Sequence, residues 1–178
     1  MKNRIPLLCL SLVLLLCACN PLSLLVNTEL TETHTITGYG IAVPTPSDWK
    51  PLEATEFDLY LGTDSETLFF GVFCYSDEEL EGLTPAELFE AKNEMMLEES
   101  TKTTDIRAAK TETVNGLTAR SRICKTEEGD NEYAYYFGSI EFDGVTVWFV
   151  GSTNTTLIDT YTACFDEILK SISQVTIG

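Results

Sequence analysis

The sequence predicts an α+β fold, an α/β/α sandwich in which an antiparallel sheet of about six strands carries helices on both faces. Three observations lead there. Turn signals at Asn115-Gly116, around Gly129 and at Asp143-Gly144 divide residues 106–153 into four strands joined as hairpins. Two of those strands are apolar on both parities: Tyr135, Tyr136, Phe137 and Ile140 in one, Val147, Trp148, Phe149 and Val150 in the next. Neither face of such a sheet is left to water. Two stretches of helical periodicity, starting at Thr84 and Thr156, supply the cover.

The chain opens on Lys2 and Arg4, followed by an uncharged apolar run over 5–16 that closes on Leu16-Cys17-Ala18-Cys19. The run is too short to span a hydrocarbon core of about 30 Å, and its order is that of a secretory signal. Its ending resembles a bacterial lipobox, which implies diacylglycerol, with palmitate-type acyl chains, on Cys19. Ala18 supplies the small residue before the cut, whereas Cys17 would place Leu16 there. The competing reading is an ordinary cleaved signal with coincidental cysteines. Residues 1–18 are thus the expected signal peptide, 19–37 a lipidated cysteine and flexible tether punctuated by threonines, and 38–178 a single domain.

Within that domain, Gly40-Ile41-Ala42-Val43-Pro44 reads as a short strand. Pro44, Pro46 and Pro51 then stiffen a turn around Trp49, which either plugs the sheet edge or lines a pocket. Strands are expected over 57–61 and 67–76. The second carries Phe69, Phe73 and Tyr75 on one side and Leu68, Phe70, Val72 and Cys74 on the other. Thr84-Pro85-Ala86-Glu87 combines a capping box with proline at the first helical position, so a helix starts there and is expected to run to about Ser100. Its apolar stripe reads as Leu88, Ala91 and Met95, widened by Phe89 and Met96. Four strands follow, over 106–114, 117–126, 133–142 and 145–153. The closing helix, over 156–173, gathers Leu157, Tyr161, Cys164, Phe165, Ile168, Leu169 and Ile172 on one face.

This order of elements, an Ile-x-Val-Pro strand into the Trp49 turn, a Thr-Pro-capped helix, a four-strand meander with Asn-Gly and Asp-Gly turns and a final helix, resembles the PsbP-like fold. That fold is shared by a photosystem II extrinsic protein, a nuclear Ran-binding protein and many small bacterial lipoproteins. The resemblance covers about residues 38–174 and implies a binding or assembly-assisting role without catalysis. It carries over no functional residues.

Composition narrows the function classes. The chain has 28 acidic and 11 basic residues, and loss of Lys2 and Arg4 with the signal takes the net charge from −17 to −19. Such a surface repels nucleic acid and anionic headgroups. The only histidine, His34, falls in the expected tether, away from any nucleophile. No Ser-x-x-Lys, Gly-x-Ser-x-Gly, Walker or dinucleotide segment is present. The 127–132 segment packs oxygen ligands around Gly129 but lacks the register of a calcium loop, so no metal or cofactor is expected. Cys74, Cys124 and Cys164 lack metal or redox spacing and read as buried thiols, with one disulfide and one free thiol as the rival.

Charge layout points to a surface. Glu87, Glu90, Glu94 and Glu98 recur at steps of three and four and would share one helix stripe. Lys102, Arg107, Lys110, Arg120, Arg122 and Lys125 crowd the next hairpin. One reading is a solvated stripe beside a hairpin that partly neutralises it; the other is a dock for a cationic partner. The expectation is a lipid-anchored accessory protein on the extracytoplasmic face of a bacterial membrane, engaging an envelope protein. A small-ligand or metal-binding lipoprotein serving a transporter is the alternative, and a surface hydrolase comes third.

Overall fold

The computed structural model describes residues 26–53, 56–98, 100–128 and 131–176. Along them run β1 (Leu30–Ile36), β2 (Ile41–Pro46), β3 (Lys50–Pro51), β4 (Leu59–Gly62) and β5 (Leu68–Ser76), then α1 (Pro85–Met96). β6 (Lys102–Val114), β7 (Leu117–Glu128), β8 (Asn131–Phe142) and β9 (Val145–Asn154) follow, then α2 (Ile158–Ser171) and β10 (Ser173–Gln174). The result is a mixed α+β fold.

Seven strands form one sheet in the order β3-β4-β5-β9-β8-β7-β6, every neighbour antiparallel. A second, three-stranded sheet has the order β1-β2-β10. The sheet of about six strands expected from sequence is therefore seven strands wide and accompanied by a smaller one. The two-residue loops fall where the turn residues stand. Asn115 and Gly116 both take positive φ, 51° and 84°, whereas at the second turn only Gly144 does, at 75°. Long β6 is an edge, blunted by two register irregularities and by Arg107 and Lys110.

The expected tether over 19–37 needs correcting. Leu30–Ile36 is strand β1, paired antiparallel with β2 from Leu30↔Pro46 to Ile36↔Ile41. The alternating threonines that suggested a spacer are β-branched, and such residues favour an extended backbone once a partner strand is present. His34 consequently sits in β1 opposite Val43, not on a tether. Cys19 and the signal over 1–18 lie outside the described residues.

Alternate residues of the central strands join two separate apolar clusters. Ala134, Tyr136 and Ile140 of β8 and Val147 and Phe149 of β9 enter the larger one, with Ile158, Tyr161, Phe165 and Ile168 of α2 and with Ile36, Ile41 and Val43 of the small sheet. Trp49 is fully buried there, 5.3 Å from Phe70 and 6.0 Å from Phe165 between ring centres, so it plugs the core. The smaller cluster takes the other parity: Tyr135 and Phe137, Trp148 and Val150, with Phe89 of α1. Burying both parities is what the unbroken apolar runs required.

Glycines permit the closest of these approaches. A Cβ on Gly151 would lie 2.2 Å from Phe165, and one on Gly138 2.3 Å from Phe149. Arg107 of β6 ties the meander to α2 through a two-pronged pair with Asp166, at 2.9 and 2.7 Å, while the Tyr136 hydroxyl donates to the same carboxylate at 2.7 Å.

Candidate functional site

α1 starts where the sequence placed it. The Thr84 hydroxyl accepts from the Glu87 amide at 3.2 Å, and the Glu87 carboxylate accepts from the Thr84 amide and hydroxyl, each at 2.8 Å. Those bonds hold the Glu87 carboxyl below its ordinary range. Glu87 is thus committed to the cap, which removes it from the expected stripe. Glu98 lies beyond the helix, which ends at Met96 with Leu97 as its cap. Glu90 and Glu94 remain as exposed carboxylates on the helix itself, with Glu98 exposed just past its end. Among the described residues no ion pair engages any of these three.

The apolar stripe of α1 keeps part of the expected one. Leu88 and Phe89 are buried and Met96 is half-buried, as expected, but Asn93 is buried in place of Ala91 and Met95, the latter 49% exposed. The displacement follows from Asn93, a polar residue drawn inward because its Oδ1 accepts from Trp148 Nε1 at 3.1 Å. Lys92 also turns toward the sheet, its Nζ 4.8 Å from the Phe73 ring centre and 5.2 Å from that of Tyr75. Desolvation there lowers the Lys92 pKa.

The cationic hairpin does not answer the acidic helix. Five of its cations pair elsewhere: Lys102 with Glu127, Arg107 with Asp166, Lys110 with Glu112, Arg120 with Glu141, and Arg122 with Asp105. Local neutralisation of this kind leaves the α1 carboxylates facing solvent.

Beside α1 the sheet carries an aromatic cavity of about 180 Å³ that the sequence did not single out. Its lining is Phe57, Tyr60, Phe69, Tyr135 and Met96, with Gly71, Val150 and Ser152. Phe57 and Tyr60 stack at 4.8 Å and 9°, and Tyr60 and Phe69 at 6.3 Å and 13°. Gly71 is required beneath them, since a Cβ there would lie 2.2 Å from Phe57. The only forewarning was the all-aromatic parity of Phe69, Phe73 and Tyr75. Sharing Phe69 and Ser152 with it is a polar cavity of about 270 Å³ lined by Glu66, Thr67, Asn131, Glu132 and Asn154.

The His34 Nε2 is buried without a hydrogen-bond partner. Cys74, Cys124 and Cys164 are free and buried, and burial pushes their thiols up to about 12, 11 and 12, far from the thiolate a nucleophile or metal ligand needs. No group of three His, Cys, Asp or Glu side chains is placed to hold a metal ion among the described residues. Of the 127–132 segment, Gly129 and Asp130 lie outside those residues.

A large antiparallel sheet entered through a short Pro-rich segment, with one helix inserted before the meander and one after it, defines the PsbP-like fold. Cyanobacterial PsbP (CyanoP) of Synechocystis superposes with a TM-score of 0.64 at 15% identity, covering 88% of this chain and 96% of its own. LpqN of Mycobacterium tuberculosis, described as involved in cell envelope biogenesis, gives 0.56 at 12% identity over 76% of this chain and 83% of its own. A Bacteroides thetaiotaomicron protein gives 0.57 at 11% identity over 83% of this chain, which spans half of that protein's length. At these identities the likeness is one of fold. No family model and no curated sequence matches the chain.

Proposed function

We propose that this chain is a lipid-anchored accessory protein of the extracytoplasmic face of a bacterial membrane, binding a cationic envelope protein and performing no catalysis. The observation that carries the reading is the exposed carboxylate surface of Glu90, Glu94 and Glu98 on and after α1, left unpaired by a hairpin whose cations are bound to other acids. Glu87 contributes through the cap that orients this surface. Like charges at helical spacing disfavour the helix by a few tenths of a kcal/mol, which a basic partner would relieve. The division of alternate strand residues between the α1 and α2 clusters supports a layered domain with a helix against each sheet face.

The Leu16-Cys17-Ala18-Cys19 sequence supports the anchor, and no helix among the described residues is long and apolar enough to cross a membrane. Two acyl chains on Cys19 contribute on the order of 20 kcal/mol, against marginal binding by one. An envelope setting also agrees with the role described for LpqN. Nucleic acid is disfavoured as a partner by the net charge of −17.

Two substitutions test the reading. Cys19→Ser moves the chain from the membrane fraction to the soluble fraction and abolishes palmitate labelling; retention of both removes the anchor. Glu90→Lys with Glu94→Lys abolishes cross-linking to the partner captured by the unaltered chain in intact membranes, with a melting temperature changed by less than about 2 °C, because exposed charges contribute little to stability. Unchanged cross-linking removes the docking role of α1.

A further inference from the structure

We infer that the domain stands on a zwitterionic lipid surface by one end of the large sheet, the end that carries the β4–β5 turn, the start of β8 and the link from β9 to α2. The inference rests on the anchor at Cys19 proposed above and adds a direction to it. Strand register fixes what shares that end. Leu68 of β5 pairs with Thr153 of β9, and Tyr133 of β8 pairs with Asn154 of β9. The Asn115-Gly116 and Asp143-Gly144 turns close the opposite end, where Ser76 and Phe142 both pair with Val145. At a rise of about 3.4 Å per residue, nine-residue β5 and twelve-residue β8 hold the two ends roughly 27–37 Å apart.

The chain enters the domain at the first of these ends. Val26 packs against the larger apolar cluster, and it lines a cavity of about 310 Å³ with Thr63, Asp64 and Ser65 of the β4–β5 turn and with Leu157 before α2. Val26 is seven residues beyond Cys19, and seven residues reach at most about 25 Å when fully extended. That reach is shorter than the sheet. With the opposite end down, Val26 would stand roughly 27–37 Å above the bilayer, out of reach of a lipid on Cys19. The surface of the membrane-side end fits headgroups without net charge. Phe69, near the start of β5, is 38% exposed, whereas Asp48, Asp64, Glu66 and Glu132 are exposed carboxylates that an anionic leaflet would repel. Helix α1 runs toward the same end, since Lys92 lies over Phe73 and Tyr75 while Met96 lines the cavity of Phe69 and Ser152. Glu94 and Glu98 are thereby brought toward the bilayer, where a partner seated in the same membrane would present its basic residues.

Amide NMR on the full lipidated chain in phosphatidylcholine nanodiscs, with a gadolinium chelate on a fraction of the headgroups, tests the direction without altering the chain. Paramagnetic relaxation falls with the sixth power of distance. The amides of Asp64, Ser65 and Asn154 therefore gain relaxation about tenfold or more greater than those of Gly116 and Gly144, given the separation of the two ends. Inserting about twenty Gly-Ser residues after Asn20 lowers the gain at Asp64 and Ser65 severalfold, because a flexible lead of that length lets the domain stand off. Phosphatidylserine added to the discs lowers it as well. Equal relaxation at both ends of the disc-bound chain, or a greater gain at Gly116 and Gly144, overturns the inference and leaves the anchor standing. So does a gain at Asp64 that is unchanged by the longer lead or raised by phosphatidylserine. A chain that fails to join the discs overturns the anchor, and the direction with it.

Discussion

Replacing Asp166 by alanine removes the one carboxylate that holds both the β6 edge and a core tyrosine to α2. Arg107 loses two charge-assisted hydrogen bonds of 2.9 and 2.7 Å, and Tyr136 loses one of 2.7 Å. The Arg107 Nε is already buried without a partner, so the guanidinium keeps the 3.3 Å bond to Ser121 and its place 5.3 Å from the Tyr136 ring centre. Hydrogen bonds to charged groups contribute about 1.5–3 kcal/mol, and breaking a fully buried pair costs about 3–5. Both side chains here are 27% exposed, which lets water replace part of the loss. A destabilisation of about 3 kcal/mol follows, equivalent to a melting temperature lower by roughly 6–12 °C for a chain of this size.

The assay is urea unfolding with the m-value checked for constancy. Replacing both partners, Arg107→Met with Asp166→Leu, recovers the part of the loss that comes from the stranded guanidinium but not the part that comes from the Tyr136 hydroxyl, which still lacks its acceptor. Burial pushes the Asp166 carboxyl up, but hydrogen bonds from Arg107 and Tyr136 outweigh it and hold the group below its ordinary value. The folded state therefore binds fewer protons there than the unfolded one. This stabilisation is complete above the unfolded pKa of about 3.9 and is lost as pH falls through the folded value. A cost below about 0.5 kcal/mol for Asp166→Ala at pH 7, or a difference from the unaltered chain that grows on acidification, refutes the reasoning.

Gly151→Ala places a Cβ 2.2 Å from the Phe165 ring, and overpacking against buried aromatic rings costs about 1–3 kcal/mol, visible as a lower urea midpoint at unchanged m. Iodoacetamide at pH 8 leaves Cys74, Cys124 and Cys164 unmodified in the folded chain, since burial pushes all three thiols to about 11 or 12; each is alkylated once urea unfolds the domain. Peptide mapping by mass spectrometry reads this directly, and rapid labelling of any of the three without urea would contradict it.

Local chemistry made much of the fold legible. Thr84, Pro85 and Glu87 mark the start of α1 because a cap is satisfied within three residues, and Asn115-Gly116 marks its hairpin because the turn needs positive φ at both positions. The face of α1 was less legible: Asn93 looks like a surface residue until Trp148, far away in sequence, supplies its partner. β1 failed for a similar reason, since a threonine-rich stretch reads as spacer until β2 pairs with it. The aromatic cavity was out of reach, because Phe57 with Tyr60, Phe69 and Tyr135 come from three segments that only the sheet brings together.

The amino-acid sequence by itself determined the signals that depend on neighbours along the chain. These are the lipobox-like run ending at Cys19, the capped start of α1, the meander turns, and the acidic charge that disfavours nucleic acid. Tertiary structure decided which carboxylates are available. The hairpin cations are taken by acids brought to them from α2, β8 and their own strands, which leaves Glu90, Glu94 and Glu98 facing solvent. Only the packed sheet could set four aromatic rings around one cavity. The physical reason is range: caps and turns are satisfied within a few residues, whereas a side chain's burial and its partner depend on segments that only the fold brings into contact.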